Sequence, residues 1–261
     1  MVPHRNLVYD YLRRRNGPAG EESGRGLDES VDRVPNNPRR FTLRNRHGLQ
    51  IVGLLDLPAG DEVVERTLVA CHGYGGDKDG AYLRRIAATL TTADIAVVRF
   101  DFTNARGESD GELRGASVAG YADDLEDVLD FVARQPRLAG AAVAIAGHSY
   151  AGMVVLVVGG RRPELAGIFF LSAVFDRTGE FDMVAVARQI RAPIVIVHGD
   201  ADREVPLAQP EALLRAAGER VVAMVVVPGA DHNYLVPGTA GRVAATIRDT
   251  LLARATPRGG S

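Results

Sequence analysis

The sequence predicts an α/β fold in which helices cover both faces of a doubly wound, mostly parallel sheet. Apolar runs of strand length alternate with stretches of helical periodicity from Arg39 onward. The runs are continuous, as is typical of parallel strands that are buried on both faces. Glycine-rich and polar segments follow several of these runs, where sites in such sheets usually lie. The predicted parallel strands are Thr67–Cys71, Ala96–Phe102, Ala142–Ala146, Gly167–Val174, Pro193–His198 and Val221–Val227.

The remaining elements follow from turns and periodicity. Phe41–Arg46 and Gln50–Leu57 read as an early hairpin around His47 and Gly48. One helical face collects Val118, Tyr121, Leu125, Val128, Leu129 and Val132. Leu213 and Leu214 indicate another helix, and Val243, Ile247 and Leu251 indicate a terminal one. Residues 39–261 are therefore predicted to form one domain, whereas residues 1–38 lack a sustained period and are predicted to form an arm, either flexible or docked on the body or a partner.

Composition narrows the classes of function. The 261 residues are 46% apolar, and 31 basic residues nearly balance 33 acidic ones, which points to neither a nucleic-acid nor a membrane partner. A single cysteine, Cys71, excludes an internal disulfide and a cysteine-based zinc site. No two histidines have metal-ligand spacing, so we expect no metal and no cofactor. No secretory signal is visible at the N-terminus, which makes the cytoplasm the default location.

The most informative segment is Gly147-His148-Ser149-Tyr150-Ala151-Gly152, which directly follows a predicted strand. A serine on a tight turn between a strand and a helix has its hydroxyl exposed at the edge of the sheet. Small neighbours are needed because the two backbones cross closely there. The usual pattern has glycine at the fifth position, where this chain has Ala151. The segment predicts Ser149 as a nucleophile, and the alternative is an ordinary helix N-cap serine.

A second segment, His72-Gly73-Tyr74-Gly75-Gly76, follows the strand that ends at Cys71. Glycines let the backbone approach a ligand closely. Two backbone amides aimed at a developing oxyanion are the natural partner of a serine nucleophile, and Tyr74 and Tyr150 are predicted to supply them. A phosphate-binding turn is the alternative, but neither of the usual glycine and lysine spacings is present.

Two further strand ends carry a carboxylate and an imidazole. Gly199–Pro206 follows the strand Pro193–His198, and Pro228–His232 follows the strand Val221–Val227. A base must lie within hydrogen-bond reach of the serine, and a carboxylate must hold the tautomer of that base. Three strand ends thus supply Ser, Asp and His in the chain order expected of this type of sheet.

Together these segments make the chain resemble the α/β-hydrolase superfamily, in particular its cinnamoyl-esterase-like and serine-aminopeptidase-like branch. The resemblance extends over about residues 40–255. It is carried by His72–Gly76, Arg99–Phe102, Gly107–Gly111, Gly147–Ser149, His198–Asp202 with Val205-Pro206, and Gly229–His232. It implies an α/β-hydrolase fold and a serine hydrolase, most simply a carboxylic ester hydrolase working through an acyl-enzyme. Thioester or amide cleavage, or a non-hydrolytic tailoring reaction, is the alternative.

The resemblance also implies roles for residues. Ser149 is the expected nucleophile, His232 the general base and Asp202 the orienting acid, with Asp200 and Asp176 as alternative acids. Independently of the resemblance, the glycine-rich turn places Gly73 and Gly75 where the backbone can contact the substrate, a small ester or acyl compound. Arg106, near the mouth of the pocket, is expected either to contact the substrate or to hold its loop.

Three departures from the family pattern stand out. Ala151 replaces a glycine, the loop Thr103–Gly107 is one residue longer than usual, and only about eighteen residues, Phe175–Ala192, occupy the place of a cap. We therefore expect a minimal cap or none, and an open pocket. A homodimer is a further expectation. His72, His148 and His198 are expected to hold loops through neutral imidazoles, and Cys71 to be a buried apolar residue.

Overall fold

A computed structural model describes residues 38–176 and 178–253. Eight strands form one sheet in the order β1-β2-β4-β3-β5-β6-β7-β8, and β2 runs antiparallel to both of its neighbours while β3 to β8 are parallel. The strands are β1 (Arg39–Arg44), β2 (Gln50–Asp56), β3 (Arg66–Cys71), β4 (Ile95–Asp101), β5 (Ala142–His148), β6 (Gly167–Leu171), β7 (Ile194–Gly199) and β8 (Val221–Val227). The helices are α1 (Ala81–Thr91), α2 (Val118–Ala133), α3 (Ala151–Arg161), α4 (Met183–Gln189), α5 (Ala208–Ala217) and α6 (Thr239–Ala253).

The helices divide between the two faces of the sheet, as predicted. The apolar faces of α1 and α6 pack in one buried cluster, for example through Leu83 and Ile247. Those of α2, α3, α4 and α5 pack in the other, for example through Leu125 and Leu213. The central strands are buried on both sides, which explains why their sequences are continuous apolar runs. The doubly wound fold is therefore confirmed.

The predicted sixth strand is three residues too long. β6 ends at Leu171 because Ser172 adopts a left-handed backbone with φ of 42°. Ala173 and Val174 nevertheless stay buried, and the Val174 amide donates a hydrogen bond to the Ser149 carbonyl. Their apolar character therefore reflects packing against the turn at Ser149 and not strand pairing.

The segment between β6 and β7 contains one seven-residue helix, α4, and no cap is evident in its described part. Within residues 38–176 and 178–253, the site at the carboxyl ends of the strands is therefore not covered by a cap inserted at this point. The predicted arm lies outside the described residues, apart from Pro38. No helix in the described ranges combines the length and apolar character that crossing a bilayer requires.

Candidate active site

Ser149 lies on a strained turn between β5 and α3. Its φ is 52°, a left-handed value that is uncommon for residues other than glycine, and its amide donates to the Leu171 carbonyl. A Cβ added to Gly147 would lie 2.3 Å from the Ala151 carbonyl oxygen, so the strand and helix backbones cross as closely as the sequence pattern predicts. Backbone strain of this kind is typical of functional sites.

The missing glycine of the motif is compensated one residue later. Ala151 fits fully buried, whereas a Cβ on Gly152 would lie 2.5 Å from the Ala173 Cβ and 2.8 Å from the Val174 carbonyl oxygen. The close approach that demands a glycine therefore falls at position 152, and the Ala151 departure leaves the turn intact.

Replacing Gly152 by alanine is expected to destabilise the fold by about 1–3 kcal/mol, because the added methyl group overpacks this contact. Urea unfolding would measure the loss. Gly160→Ala in the same helix is the matched control: the nearest atom to its Cβ is a side-chain methyl of Val186 at 3.3 Å, and alanine favours a helix by up to about 1 kcal/mol. Equal stabilities for the two variants would contradict the crossing geometry.

The three side chains named from the strand ends meet in one hydrogen-bonded chain. Ser149 Oγ lies 2.9 Å from His232 Nε2, and His232 Nδ1 lies 2.9 Å from Asp202 Oδ2. A neutral imidazole protonated on Nδ1 satisfies both bonds, since it donates to the carboxylate and accepts from the hydroxyl. The arrangement can deprotonate Ser149 as it attacks a carbonyl carbon.

Asp202 is held as a carboxylate by its own loop. Its Oδ1 accepts the amides of Glu204 and Val205, each at 2.9 Å, and its side chain has no exposed surface. Burial alone would raise the pKa of Asp202, but the hydrogen bonds from the Val205 amide, His232 and the Glu204 amide outweigh it and lower that pKa. The group facing His232 therefore stays negatively charged.

The other candidate acids have different partners. Asp200 accepts the Gly229 amide at 2.6 Å and is exposed. Asp176 is also exposed, and its amide donates to Gln209. Asp231 accepts the Leu235 amide and caps a turn. The structure thus brings Asp202, and neither Asp200 nor Asp176, to His232.

The two predicted oxyanion-hole residues lie next to Ser149 and to the turn that packs against it. The glycine-rich turn passes against the serine, since a Cβ on Gly73 would lie 3.0 Å from the Ser149 Cβ. Tyr150 is the N-cap residue of α3, and its ring lies 5.7 Å from that of Tyr74. In the described part of the chain, neither the Tyr74 amide nor the Tyr150 amide donates a hydrogen bond. Both donors are therefore available to a ligand.

Three buried histidines hold the surrounding loops, as expected. His72 donates from Nδ1 to the Gly73 carbonyl and accepts the Phe102 amide on Nε2. His148 donates from Nε2 to the His232 carbonyl, and His198 donates to the Val205 carbonyl. Burial lowers the pKa of each of them, that of His148 to about 3, so all three are neutral at pH 7.

Stability is expected to fall as the pH drops from about 6.5 towards 3. An unfolded imidazole has a pKa of about 6.5, whereas folded His148 takes up its proton only near pH 3. The unfolded state thus binds more protons across this window, at about 1.4 kcal/mol per pH unit for each such group. Urea unfolding at several pH values would show it, and His148→Gln should flatten the slope. If the free energy of unfolding of the wild type did not change with pH in this window, the buried imidazoles could not be neutral.

A cavity of about 370 Å³ opens beside Ser149 and His232. Gly73 and Tyr74 line it, but Gly75 and Arg106 do not. Gly75 has a φ of 68°, and a Cβ there would lie 4.0 Å from Arg106 Nε, so these two residues are neighbours outside the cavity wall. Their contact with substrate stays a prediction.

Sequence reasoning missed several residues of this wall. Among the described residues, no arginine or lysine side chain lines the cavity, whereas two carboxylates do. Glu204 Oε2 lies 3.7 Å from His232 Nε2. For Asp77, Glu204 and Asn233 the sequence offers one signal, their position within or next to a motif, whereas nothing local marks the others. The lining residues missed are Asp77, Gly80, Ala81, Tyr82, Glu204, Asn233 and Leu235.

Within the described ranges, no group of three or more His, Cys, Asp or Glu side chains has an arrangement that could hold a metal ion.

Comparison with known proteins identifies the family to which this chain belongs. A curated relative from Mycobacterium tuberculosis, named "Putative phosphoribosyl transferase", is 28% identical over 195 residues, which are 74% of this chain and 42% of that protein. The chain thus spans less than half the length of the curated relatives that it matches.

Two solved structures share the fold. The esterase Est1E from Butyrivibrio proteoclasticus, with ferulic acid bound, has a TM-score of 0.73 at 18% identity, over 82% of this chain and 98% of that one. XC6422 from Xanthomonas campestris, described as a serine hydrolase without a lid, has a TM-score of 0.69 at 22% identity, over 85% and 98% of the two chains. Residues 64–256 match the family described as "Alpha/beta hydrolase domain". The chain therefore belongs to the α/β-hydrolase family.

Proposed function

We propose that the protein is a serine hydrolase that cleaves a carboxylic ester through an acyl-enzyme intermediate. The observation that carries this proposal is the hydrogen-bonded chain from Asp202 through His232 to Ser149, with both links at 2.9 Å. Membership of the α/β-hydrolase family and the strained backbone of Ser149 support it.

In the first half-reaction, His232 Nε2 takes the Ser149 proton as Oγ attacks the ester carbonyl carbon. The amides of Tyr74 and Tyr150 stabilise the oxyanion that forms, and donors of this kind contribute about 3–4 kcal/mol each to lowering a barrier. When the tetrahedral intermediate collapses, the imidazolium gives its proton to the departing alcohol. Asp202 stabilises that imidazolium throughout and keeps its proton on Nδ1.

In the second half-reaction, a water molecule replaces the alcohol. His232 removes a proton from the water as its oxygen attacks the acyl carbon, and the same two amides hold the second oxyanion. Collapse returns the proton to Ser149 Oγ and releases the carboxylic acid. The enzyme therefore ends the cycle in its starting protonation state.

The cavity favours a small substrate without negative charge near the scissile bond. Asp77 and Glu204 line its wall, and within the described chain no basic side chain offsets them there. An anionic acyl group would meet like charge there. We therefore expect neutral or amine-bearing esters to react faster than esters of dicarboxylic acids. The measurement is kcat/KM for p-nitrophenyl acetate, a neutral ester, and for p-nitrophenyl succinate, an anionic one. Glu204→Gln removes one of the two negative charges and should reduce the ratio between these two values.

The direct test of the proposed function is labelling with a fluorophosphonate probe, followed by mass mapping of the modified peptide. Modification at Ser149 is the expected result, and no labelling or labelling elsewhere would overturn the proposal. A panel of p-nitrophenyl esters, acyl thioesters and aminoacyl amides then measures the reaction class. Ester turnover should dominate, whereas faster turnover of thioesters or amides would assign the same side chains to a different acyl transfer.

A further inference from the structure

Lys78 is the only lysine of the chain, since the other 30 of its 31 basic residues are arginines. It follows the glycine-rich turn that carries Tyr74, and its side chain is 5% exposed. A buried lysine must have its charge compensated, because leaving an ammonium group unpaired in the interior is strongly unfavourable. Because every other basic residue counted with it is an arginine, we infer that this position requires a lysine in particular.

The ammonium group of Lys78 is surrounded by three carboxylates. Its Nζ lies 2.6 Å from Glu108 Oε2, 3.1 Å from Asp101 Oδ2 and 3.2 Å from Asp79 Oδ2. Asp101 is fully buried, whereas Glu108 and Asp79 are about half exposed. Burial lowers the pKa of Lys78, but the hydrogen bonds that its ammonium group donates to Glu108, Asp101 and Asp79 outweigh burial and raise that pKa above its ordinary value. Lys78 therefore carries its positive charge at neutral pH.

The backbone of Lys78 is anchored by β4 as well. Its amide donates to Asp101 Oδ1 at 2.7 Å, and its carbonyl accepts from Arg99 Nη1 at 2.6 Å. Arg99 in turn forms two hydrogen bonds with Asp56 on β2. Asp101 also accepts the Glu108 amide, which ties the following loop into the same cluster. Three stretches of chain thus converge on one buried ion pair.

The turn between these anchors contains the Tyr74 amide. At its start, His72 accepts the Phe102 amide, and within it the Gly76 amide donates to the Gly73 carbonyl at 3.1 Å. At its end, Lys78 is held to Asp101. The turn is therefore fixed at both ends to the carboxyl end of β4. Its position relative to Ser149 depends on these two attachments.

We propose that Lys78 is a positioning residue of the oxyanion hole: its ion pair with Asp101 and Glu108 holds the turn so that the Tyr74 amide faces the carbonyl oxygen attacked by Ser149. This inference rests on the proposed function. Lys78 itself does not touch the substrate, since it is absent from the cavity wall. Its contribution would be preorganisation, which acts on the transition state more than on substrate binding.

Arginine is not expected to replace it. The ammonium group is compact and directs three donors towards separate carboxylates, whereas a guanidinium is planar, longer and suited to two parallel bonds. Inserting it beside Asp101, where a Cβ on Gly107 would already lie 2.4 Å from the carboxylate, would push the turn outward.

The test compares Lys78→Met and Lys78→Arg with the wild type on its best ester. We expect kcat to fall about tenfold to hundredfold in both, with KM changed less than about threefold. The inhibition constant of a boronic acid that adds to Ser149 should rise by a similar factor, because the adduct needs the same amide. Val128→Ala, a buried truncation in α2, is the control for general destabilisation and should retain the wild-type kcat.

A milder pair of variants covers the case in which the Lys78 variants fail to fold. Glu108→Gln removes the charge of the shortest contact of Lys78 from a half-exposed site and is expected to lower kcat several-fold. Arg40→Gln removes the other cation bonded to Glu108, at 3.2 Å, and should leave kcat unchanged. Equal kcat values for these two variants would overturn the proposal, as would full activity of Lys78→Arg.

The two hypotheses fail in different ways. A wild-type protein without turnover that depends on Ser149 would overturn the proposed function and this inference together. An active wild type whose Lys78 variants lose stability but keep kcat and boronic acid affinity would overturn the positioning role alone.

Discussion

Ser149→Ala is expected to lower kcat for ester hydrolysis by about a millionfold, the scale of loss seen when a serine nucleophile is removed from a comparable triad. The reason is chemical: alanine has no oxygen that can attack the carbonyl carbon, so no acyl-enzyme forms. Stopped-time assays on concentrated, freshly purified protein would measure the residual rate.

The fold should survive this substitution. Alanine leaves the backbone turn unchanged and removes one hydrogen bond, that from Oγ to His232 Nε2. A net loss of about 1 kcal/mol in the free energy of unfolding is expected. His232→Ala should lower kcat to a similar extent, because residues that act as a unit have non-additive effects. Turnover above a thousandth of the wild-type value in the Ser149 variant would remove the nucleophile assignment.

Asp202→Asn is expected to lower kcat by about ten-thousandfold. The buried carboxylate accepts a hydrogen bond from His232, with 2.9 Å between Nδ1 and Asp202 Oδ2. An asparagine can turn an N–H towards Nδ1 and so favour the imidazole tautomer with its proton on Nε2. That tautomer has no lone pair facing the Ser149 hydroxyl, so the base is lost although the geometry is retained.

The chain offers matched controls for this prediction. Asp200→Asn alters an exposed carboxylate two residues away that accepts the Gly229 amide, and Asp176→Asn alters an exposed carboxylate in the segment between β6 and β7. Both should keep kcat within about threefold of the wild type, as expected of surface changes. A larger loss in either control than in Asp202→Asn would transfer the role of orienting acid to that residue.

Periodicity and the residues at the strand ends predicted most of the fold. Continuous apolar runs predicted the parallel strands, since such runs are typical of strands covered on both faces, and the glycine-rich turns marked the edge at which the site lies. The edge strand β8 is equally apolar although its middle residues are partly exposed. The same reasoning extended β6 to Val174, because an apolar run does not reveal whether its residues pair in a sheet or pack beneath a neighbouring turn.

The site also contains some residues that the sequence could predict and others that it could not. Ser149 and His232 could be named because each follows a strand, and the order of strands in the sheet brings their ends together. Asp202 was preferred to Asp200 on the spacing typical of the family. Gly75 was expected at the substrate because of its glycine-rich turn and Arg106 because of its loop, whereas the cavity wall is formed by other residues, such as Glu204 and Leu235. Loop paths depend on long-range contacts that no local pattern encodes.

The sequence by itself determined the doubly wound sheet, the serine turn and the strand ends that supply His232 and the candidate carboxylates, because these depend on local periodicity and on strand order. Only the tertiary structure decided that Asp202 and not Asp200 reaches His232, and that Lys78 is enclosed by three carboxylates. The physical reason is that a hydrogen bond or ion pair forms or fails over about an ångström, a precision set by packing across the whole domain.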